Sequence, residues 1–170
     1  MKKRRKILVP IFIFIVVIFI LKIMPKTGIF TYLFDNDNYS DNYPPPNQAI
    51  SDLNELTPKT RKKAYKFLER CEEEGLDVII TETYRTKERQ DYLYSLGREV
   101  DGNIVTWTKN SRHTDRYAFD ICKNGADPYG DTEFFKRCAE IGREVGLNPG
   151  YYWENYQDMP HYQYDTWWNR

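Results

Sequence analysis

Ile7 to Leu21 is an unbroken apolar run of 15 residues, and it follows a basic start, Met1-Lys-Lys-Arg-Arg-Lys6. A buried core helix would not carry five consecutive basic residues at its edge. A membrane span usually needs about 20 apolar residues. Lys22 can snorkel its ammonium toward water, which extends the segment through Ile23 and Met24. Residues 7–24 are therefore expected to form a single-pass transmembrane signal anchor. The basic residues 1–6 stay in the cytoplasm and the C-terminal part lies outside it. The competing reading is a cleaved signal peptide followed by secretion. A signal peptide wants small residues before the cut, and Lys22-Ile23-Met24-Pro25 has none, with Thr27-Gly28 a weak substitute.

Residues 25–48 are expected to be a flexible linker. Asp35 to Tyr43 shows no apolar periodicity, and Pro44-Pro45-Pro46 favours an extended polyproline conformation. The folded domain is then 49–170, long enough for one core. Charge follows the same division. Seven of the 25 Lys and Arg residues fall in residues 1–26, which hold no acid. The rest of the chain has 18 bases against 25 acids, a net charge of −7. An acidic domain without a basic stripe excludes nucleic acid as a partner. Three cysteines are too few for a disulfide-built scaffold; one disulfide with a free thiol and three reduced buried thiols both fit.

Within the domain, Thr57-Pro58 opens a helix with Thr57 as N-cap, and Gly75 stops it. Residues 77–84 are β-branched and read as a strand. Thr86 caps a second helix that runs to Leu96. Residues 104–107 and 117–122 read as strands, Asp131-Thr132 starts a third helix, and 161–164 is a last short strand. The fold class is α+β, a small, mainly antiparallel sheet with helices packed on one face.

Both histidines of the chain lie in short stretches that also carry carboxylates. One is Ser111-Arg-His113-Thr-Asp-Arg-Tyr-Ala-Phe-Asp120; the other is Asp158-Met-Pro-His161-Tyr-Gln. A catalytic zinc site needs three protein ligands from His and Asp or Glu, plus an open position for water. His113, Asp120 and His161 supply such a set. Such an ion lowers the pKa of its water, and Asp158 is placed to take the proton. Cys122 is an alternative soft ligand or a small buried residue. Glu82, Asp115 and Glu154 are rival carboxylates for the base.

These stretches resemble the M15, or VanY-like, zinc D,D-carboxypeptidases and endopeptidases that cut peptidoglycan stem peptides. The likeness rests on Tyr84-Arg85-Thr86 with Gln90, Leu93-Tyr94 with Gly97-Arg98, and Val105-Thr106. It continues through Ser111, His113, Ala118 and Asp120, then Gly146-Leu147, Trp153 and Asp158-Met-Pro160-His161-Tyr162-Gln163. The resemblance implies a Hedgehog/D,D-peptidase-like fold and a Zn2+ cofactor held by His113, Asp120 and His161. It implies Asp158 as general acid/base and Arg85 as the cation that steadies the substrate carbonyl. Ser111, Tyr84 and Trp153 are expected to contact substrate, and Gln90 to pack the second helix under the site.

The sequence departs from the family pattern in two places. Arg116 stands where a glycine is usual, which changes the turn or narrows the cleft. Tyr151 and Tyr152 precede Trp153 in place of a glycine pair and are expected to remodel the groove. The tyrosine- and tryptophan-rich end from Tyr151 to Trp168 suits either sugar stacking or aromatic packing. The expectation is a monomeric, membrane-anchored zinc peptidase acting on peptidoglycan at the L-Ala–D-Glu bond. The alternatives are a D-Ala-D-Ala carboxypeptidase of the same family and a non-catalytic wall-binding domain.

Overall fold

A computed structural model of the chain describes residues 39–166. The expected anchor, most of the expected linker, and Trp167 and Trp168 lie outside the described residues. No helix among the described residues is long and apolar enough to cross a membrane.

Helix α1 spans Pro58–Glu73, strand β1 Val78–Glu82, helix α2 Lys87–Ser95 and strand β2 Ala118–Lys123. Helix α3 spans Thr132–Glu144, followed by the short strands β3, Asn148–Pro149, and β4, His161–Gln163. Single 3-10 turns occupy Leu53–Glu55 and Gly150–Tyr152. The helix starts follow the capping chemistry in the sequence. The side chains of Thr57, Thr86 and Asp131 accept from the backbone N–H groups of Thr60, Arg89 and Phe134.

The four strands form one antiparallel sheet in the order β1-β2-β4-β3. Alternation along β2 and β4 gives the sheet two different faces. Phe119 and Tyr162 are register partners, and their rings stack at 5.5 Å with 11° between planes. Phe67 of α1 packs on both rings, at 5.8 and 4.8 Å. Ile121, Phe135 and Ile141 complete this fully buried layer between the sheet and helices α1 and α3. Each such side chain contributes roughly 1.5–3 kcal/mol through burial. The next residues along the strands point the other way and are polar. Asp120 pairs with Glu82 across β1–β2 and with His161 across β2–β4, so the three lie in one row.

Residues 104–107 are not a strand, contrary to the sequence expectation. Their polar groups are committed elsewhere. The Thr106 carbonyl accepts from Arg98 at 3.1 Å, and the Thr106 hydroxyl accepts from the Gln90 amide at 3.5 Å and the Thr108 N–H at 3.4 Å. Gly97 starts this loop at φ +70°, and a Cβ there would lie 2.9 Å from the Ile104 nitrogen.

The compact unit that holds the sheet reaches back to residues 39–48, which the sequence assigns to the linker. The Ser40 N–H and the Tyr43 hydroxyl donate to the Glu55 carboxylate at 2.9 and 3.0 Å, and Arg89 donates to the Pro46 carbonyl at 2.9 Å. Cys71, Cys122 and Cys138 are all free and buried.

Candidate metal centre and active site

Strand register brings Asp120 and His161 face to face. The loop between α2 and β2 delivers His113 to the same point. Three atoms converge there: His113 Nε2, Asp120 Oδ1 and His161 Nδ1. They are 3.2 Å (His113 to Asp120), 3.2 Å (His113 to His161) and 3.1 Å (His161 to Asp120) apart. Among the described residues this is the cluster of His and acid side chains able to hold a metal ion.

The outer nitrogens decide what the inner ones can do. His113 Nδ1 lies 2.7 Å from the Thr83 carbonyl, which can only accept, so Nδ1 carries the hydrogen. His161 Nε2 faces Gln163 Oε1 at 3.2 Å and donates in the same way. Both inward nitrogens are then bare lone pairs facing a carboxylate oxygen. Three acceptors at this separation repel one another unless a cation lies among them. Ligands 2.0–2.1 Å from one tetrahedral ion sit about 3.3 Å apart, which matches the triangle. The donor set of two imidazoles and one carboxylate suits zinc, and the outer hydrogen bonds are of the kind that orient metal ligands.

Electrostatics agree. Burial opposes the charge on Asp120, but in the metal-free chain the charge and hydrogen bonds of His113 and His161, when a proton takes the place of a metal ion between them, hold its carboxyl well below the ordinary 3.8. Burial also works against a charged His161, yet the hydrogen bond and charge of Asp120 leave its affinity for a proton raised. Both shifts mark a place that attracts positive charge.

The triangle opens into a cleft of about 530 Å³. Arg85, Ser111, Trp153 and Asp158 line it with the three clustered residues. Arg85 is 8% exposed and is gripped on two sides. It donates to Glu82 at 2.6 Å and to Gln90 at 2.8 Å, and lies 3.7 Å from Asp120 Oδ2. Its Nε has no hydrogen-bond partner among the described residues. Trp153 packs its ring 5.1 Å from that of His161. The Ser111 hydroxyl accepts from the His113 N–H at 3.3 Å, shaping the ligand loop from within.

Asp158 sits at the cleft rim, where the chain folds tightly on itself. Its N–H donates to the Gly150 carbonyl at 3.0 Å, and a Cβ on Gly150 would lie 2.5 Å from the Asp158 carbonyl oxygen. Only glycine permits that approach. Burial and the neighbouring Asp120 charge push the Asp158 carboxyl above its ordinary value, while His161, His113 and Arg85 pull against them.

Tyr84 is the expected substrate residue that the structure places elsewhere. It does not line the cleft. Its ring covers the Arg116 guanidinium at 3.6 Å and meets Tyr43 at 5.0 Å. Arg116 itself keeps the turn that a glycine would make, at φ +64°. Its side chain leaves the cleft for Glu55 and does not narrow it. Tyr151 and Tyr152 do not line the cleft. Tyr151 packs on the core, and Arg143 covers the Tyr152 ring at 4.1 Å. Of the rival bases, Glu82 is bound by Arg85 and Arg89, and Asp115 and Glu154 are exposed outside the cleft.

Residues 53–170 match the family described as VanY, D-alanyl-D-alanine carboxypeptidase. The chain belongs to this family. It is 28% identical over 129 residues to the peptidoglycan L-alanyl-D-glutamate endopeptidase CwlK of Bacillus subtilis (strain 168), covering 66% of this chain and 77% of that protein. It is 27% identical over 122 residues to the L-alanyl-D-glutamate peptidase of Listeria phage A118, covering 69% of this chain but 41% of the phage protein. Among solved structures, the L-Ala D-Glu endopeptidase ChiX of Serratia marcescens superposes with a TM-score of 0.54 at 20% identity. That match covers 66% of this chain and 83% of ChiX and shows a shared α+β fold.

Two participants were not legible as functional in the sequence. The Thr83 carbonyl is a backbone group and leaves no sequence signal. Gln163 is a strand residue whose role appears only from the i, i+2 alternation that places it on the His161 face.

Proposed function

We propose that this domain is a zinc-dependent peptidase that hydrolyses the L-Ala–D-Glu bond of peptidoglycan stem peptides. The observation that carries it is the triangle of three bare acceptors at 3.1–3.2 Å opening into a cleft with Asp158 at its rim. The names of CwlK and the phage peptidase favour this bond over the terminal D-Ala.

His113, Asp120 and His161 would hold the ion. A bound Zn2+ would polarise the scissile carbonyl and acidify water in its open position. The protein residues then have separate tasks. Asp158 takes a proton from the attacking water and returns it to the departing amine of D-Glu. Its raised affinity for protons suits the first of these transfers. Arg85, fixed by Glu82 and Gln90, brings a positive charge to the cleft, beside the oxygen on which negative charge develops. Trp153 walls off water beside His161. The anchor over residues 7–24 is part of the same proposal. It would tether the domain on the outer membrane face, and its basic flank and apolar length support that reading.

The test is a digest of purified peptidoglycan by the full-length chain, with products read by mass spectrometry. The expected result is stem peptides with a new N-terminal D-Glu, lost on chelation and restored by zinc. Release of single D-Ala residues would assign the carboxypeptidase activity instead. Absence of products with zinc bound would turn the assignment to a wall-binding domain. Recovery of the intact chain in the membrane fraction, with protease-accessible outer residues, tests the anchor.

A further inference from the structure

A second groove, about 810 Å³, continues from the metal cleft and shares Val105, Trp153 and Asp158 with it. Its outer walls carry Trp107 and Tyr156, which are 71% and 70% exposed. Large aromatic rings left in water cost the fold their burial energy, and two of them facing one groove form a patch, not scattered exposure.

Both rings stand on pinned backbone. The Trp107 loop is held by Gln90, which donates to the Thr108 carbonyl at 2.6 Å, and by Arg98, which donates to the Thr106 carbonyl at 3.1 Å. The Arg98 guanidinium also backs the indole at 5.6 Å. Elsewhere in the lining Gln157 donates to the Tyr151 carbonyl at 2.8 Å, tying down the segment that carries Tyr156. Asn155 adds an amide to the same lining. A rigid aromatic wall flanked by amides suits a ligand with one apolar face and a rim of hydroxyl and acetamido groups. A pyranose ring has that form: its axial C–H bonds lie against an aromatic face while its edge hydrogen-bonds.

We propose that this groove is a subsite for the N-acetylated sugar of the glycan strand, packed against Trp107 and Tyr156. The inference rests on the proposed L-Ala–D-Glu cleavage. In peptidoglycan the L-Ala amine is joined directly to the sugar's lactyl group, so a sugar lies one residue from that scissile bond. Continuity of the groove with the cleft at Asp158 and Trp153 provides for that distance. The enzyme would thus act on stem peptides still attached to glycan.

The test uses the full-length zinc-loaded chain and two substrates, a muramyl stem peptide and the same peptide with an acetyl group in place of the sugar. The muramyl substrate is expected to show kcat/KM higher by roughly tenfold or more. In Trp107→Ala and Tyr156→Ala the ratio between the two substrates should fall toward one. Circular dichroism on each variant verifies folding. Equal kcat/KM on the two substrates in the unaltered chain overturns the subsite. So does a Trp107-dependent gain produced by lengthening the peptide on its C-terminal side, which would assign the groove to peptide. A separate arm needs no turnover: titration with the peptide-free N-acetylglucosamine–N-acetylmuramic acid disaccharide, followed by tryptophan fluorescence. A saturable change that Trp107→Phe reduces supports the sugar site even if neither peptide is cut, in which case only the cleavage assignment fails. No saturable change, with both peptides cleaved equally, refutes the sugar site alone.

Discussion

Arg116 pairs with Glu55 across 61 residues of chain, with both side chains nearly inaccessible to water. The guanidinium also donates to the Glu55 carbonyl at 2.8 Å and to the Tyr43 hydroxyl at 2.7 Å, and it stacks between Tyr39 and Tyr84 at 3.8 and 3.6 Å. Its backbone N–H donates to the His113 carbonyl at 3.1 Å, and its own carbonyl accepts from Thr57. One residue therefore ties the segment before α1 to the loop that carries a metal-site histidine.

This tie predicts an order of stabilities. Arg116→Ala leaves Glu55 buried without its partner and should cost about 3–5 kcal/mol. Arg116→Gly loses the same contacts but relieves the φ +64° backbone, so it should be less damaging than alanine by about 1 kcal/mol. Urea unfolding of the two variants and of Glu55→Gln measures this. Alanine equal to or better than glycine would show that the left-handed turn stores no strain.

The bare-acceptor triangle predicts strong stabilisation by metal. Zinc at a hundredfold excess over its Kd should add about 2.7 kcal/mol to the folded state. For a domain of this size that is a rise in Tm on the order of 10 °C. His113→Ala and Asp120→Ala should lose most of the rise. Thermal unfolding with zinc and with a chelator provides the measurement, and a Tm indifferent to both would sink the metal site.

Asp158 stands outside the triangle, so its removal should separate chemistry from metal binding. Asp158→Asn is expected to lower kcat by about 10²–10⁴-fold while zinc content stays unchanged. The unprotonated carboxylate is the active form, so kcat/KM rises with pH as the group loses its proton. In the metal-free chain, burial and the Asp120 charge push that carboxyl above its ordinary 3.8, against the pull of His161, His113 and Arg85. A pH–rate profile on both proteins checks the point. A variant within tenfold of the parent would reassign the base.

The parts of the site that were readable from sequence are those written in side chains on regular elements. Asp120 and His161 converge because β2 and β4 alternate with period two and pair in register, while His113 and Asp158 stand in the short motifs just before those two strands. The helix boundaries followed Thr57, Thr86 and Asp131 for the same local reason. Long-range choices were not readable. Nothing near Tyr84 in sequence says that its face is taken by Arg116, 32 positions later. Likewise the β-branched Ile104-Val105-Thr106 has strand propensity, but Arg98 and Gln90 take its polar groups before any strand can. Residues 39–48 lack apolar periodicity, and it is single tyrosines on one arginine that dock them.

Glu82 gives the last prediction, because it links the site to acid stability. It receives Arg85 and Arg89 at 2.6 Å each, in the row that continues through Asp120 to His161. Burial alone would raise its pKa, but Arg85, Arg89 and the nearby His113 hold it below the ordinary 4.5. A carboxyl depressed by folding stabilises the native state above its unfolded value. That contribution is lost as pH falls through the lower folded value, where the native state must take up a proton. Stability should therefore drop as pH falls from about 4.5. Glu82→Gln should be less stable at pH 7, because two arginines lose their counter-charge, but should show a shallower decline through the acid range. Urea midpoints from pH 7 to pH 3 for both proteins measure the two slopes. Parallel declines would mean that another carboxylate carries the acid sensitivity and that the grip on Arg85 survives protonation of Glu82.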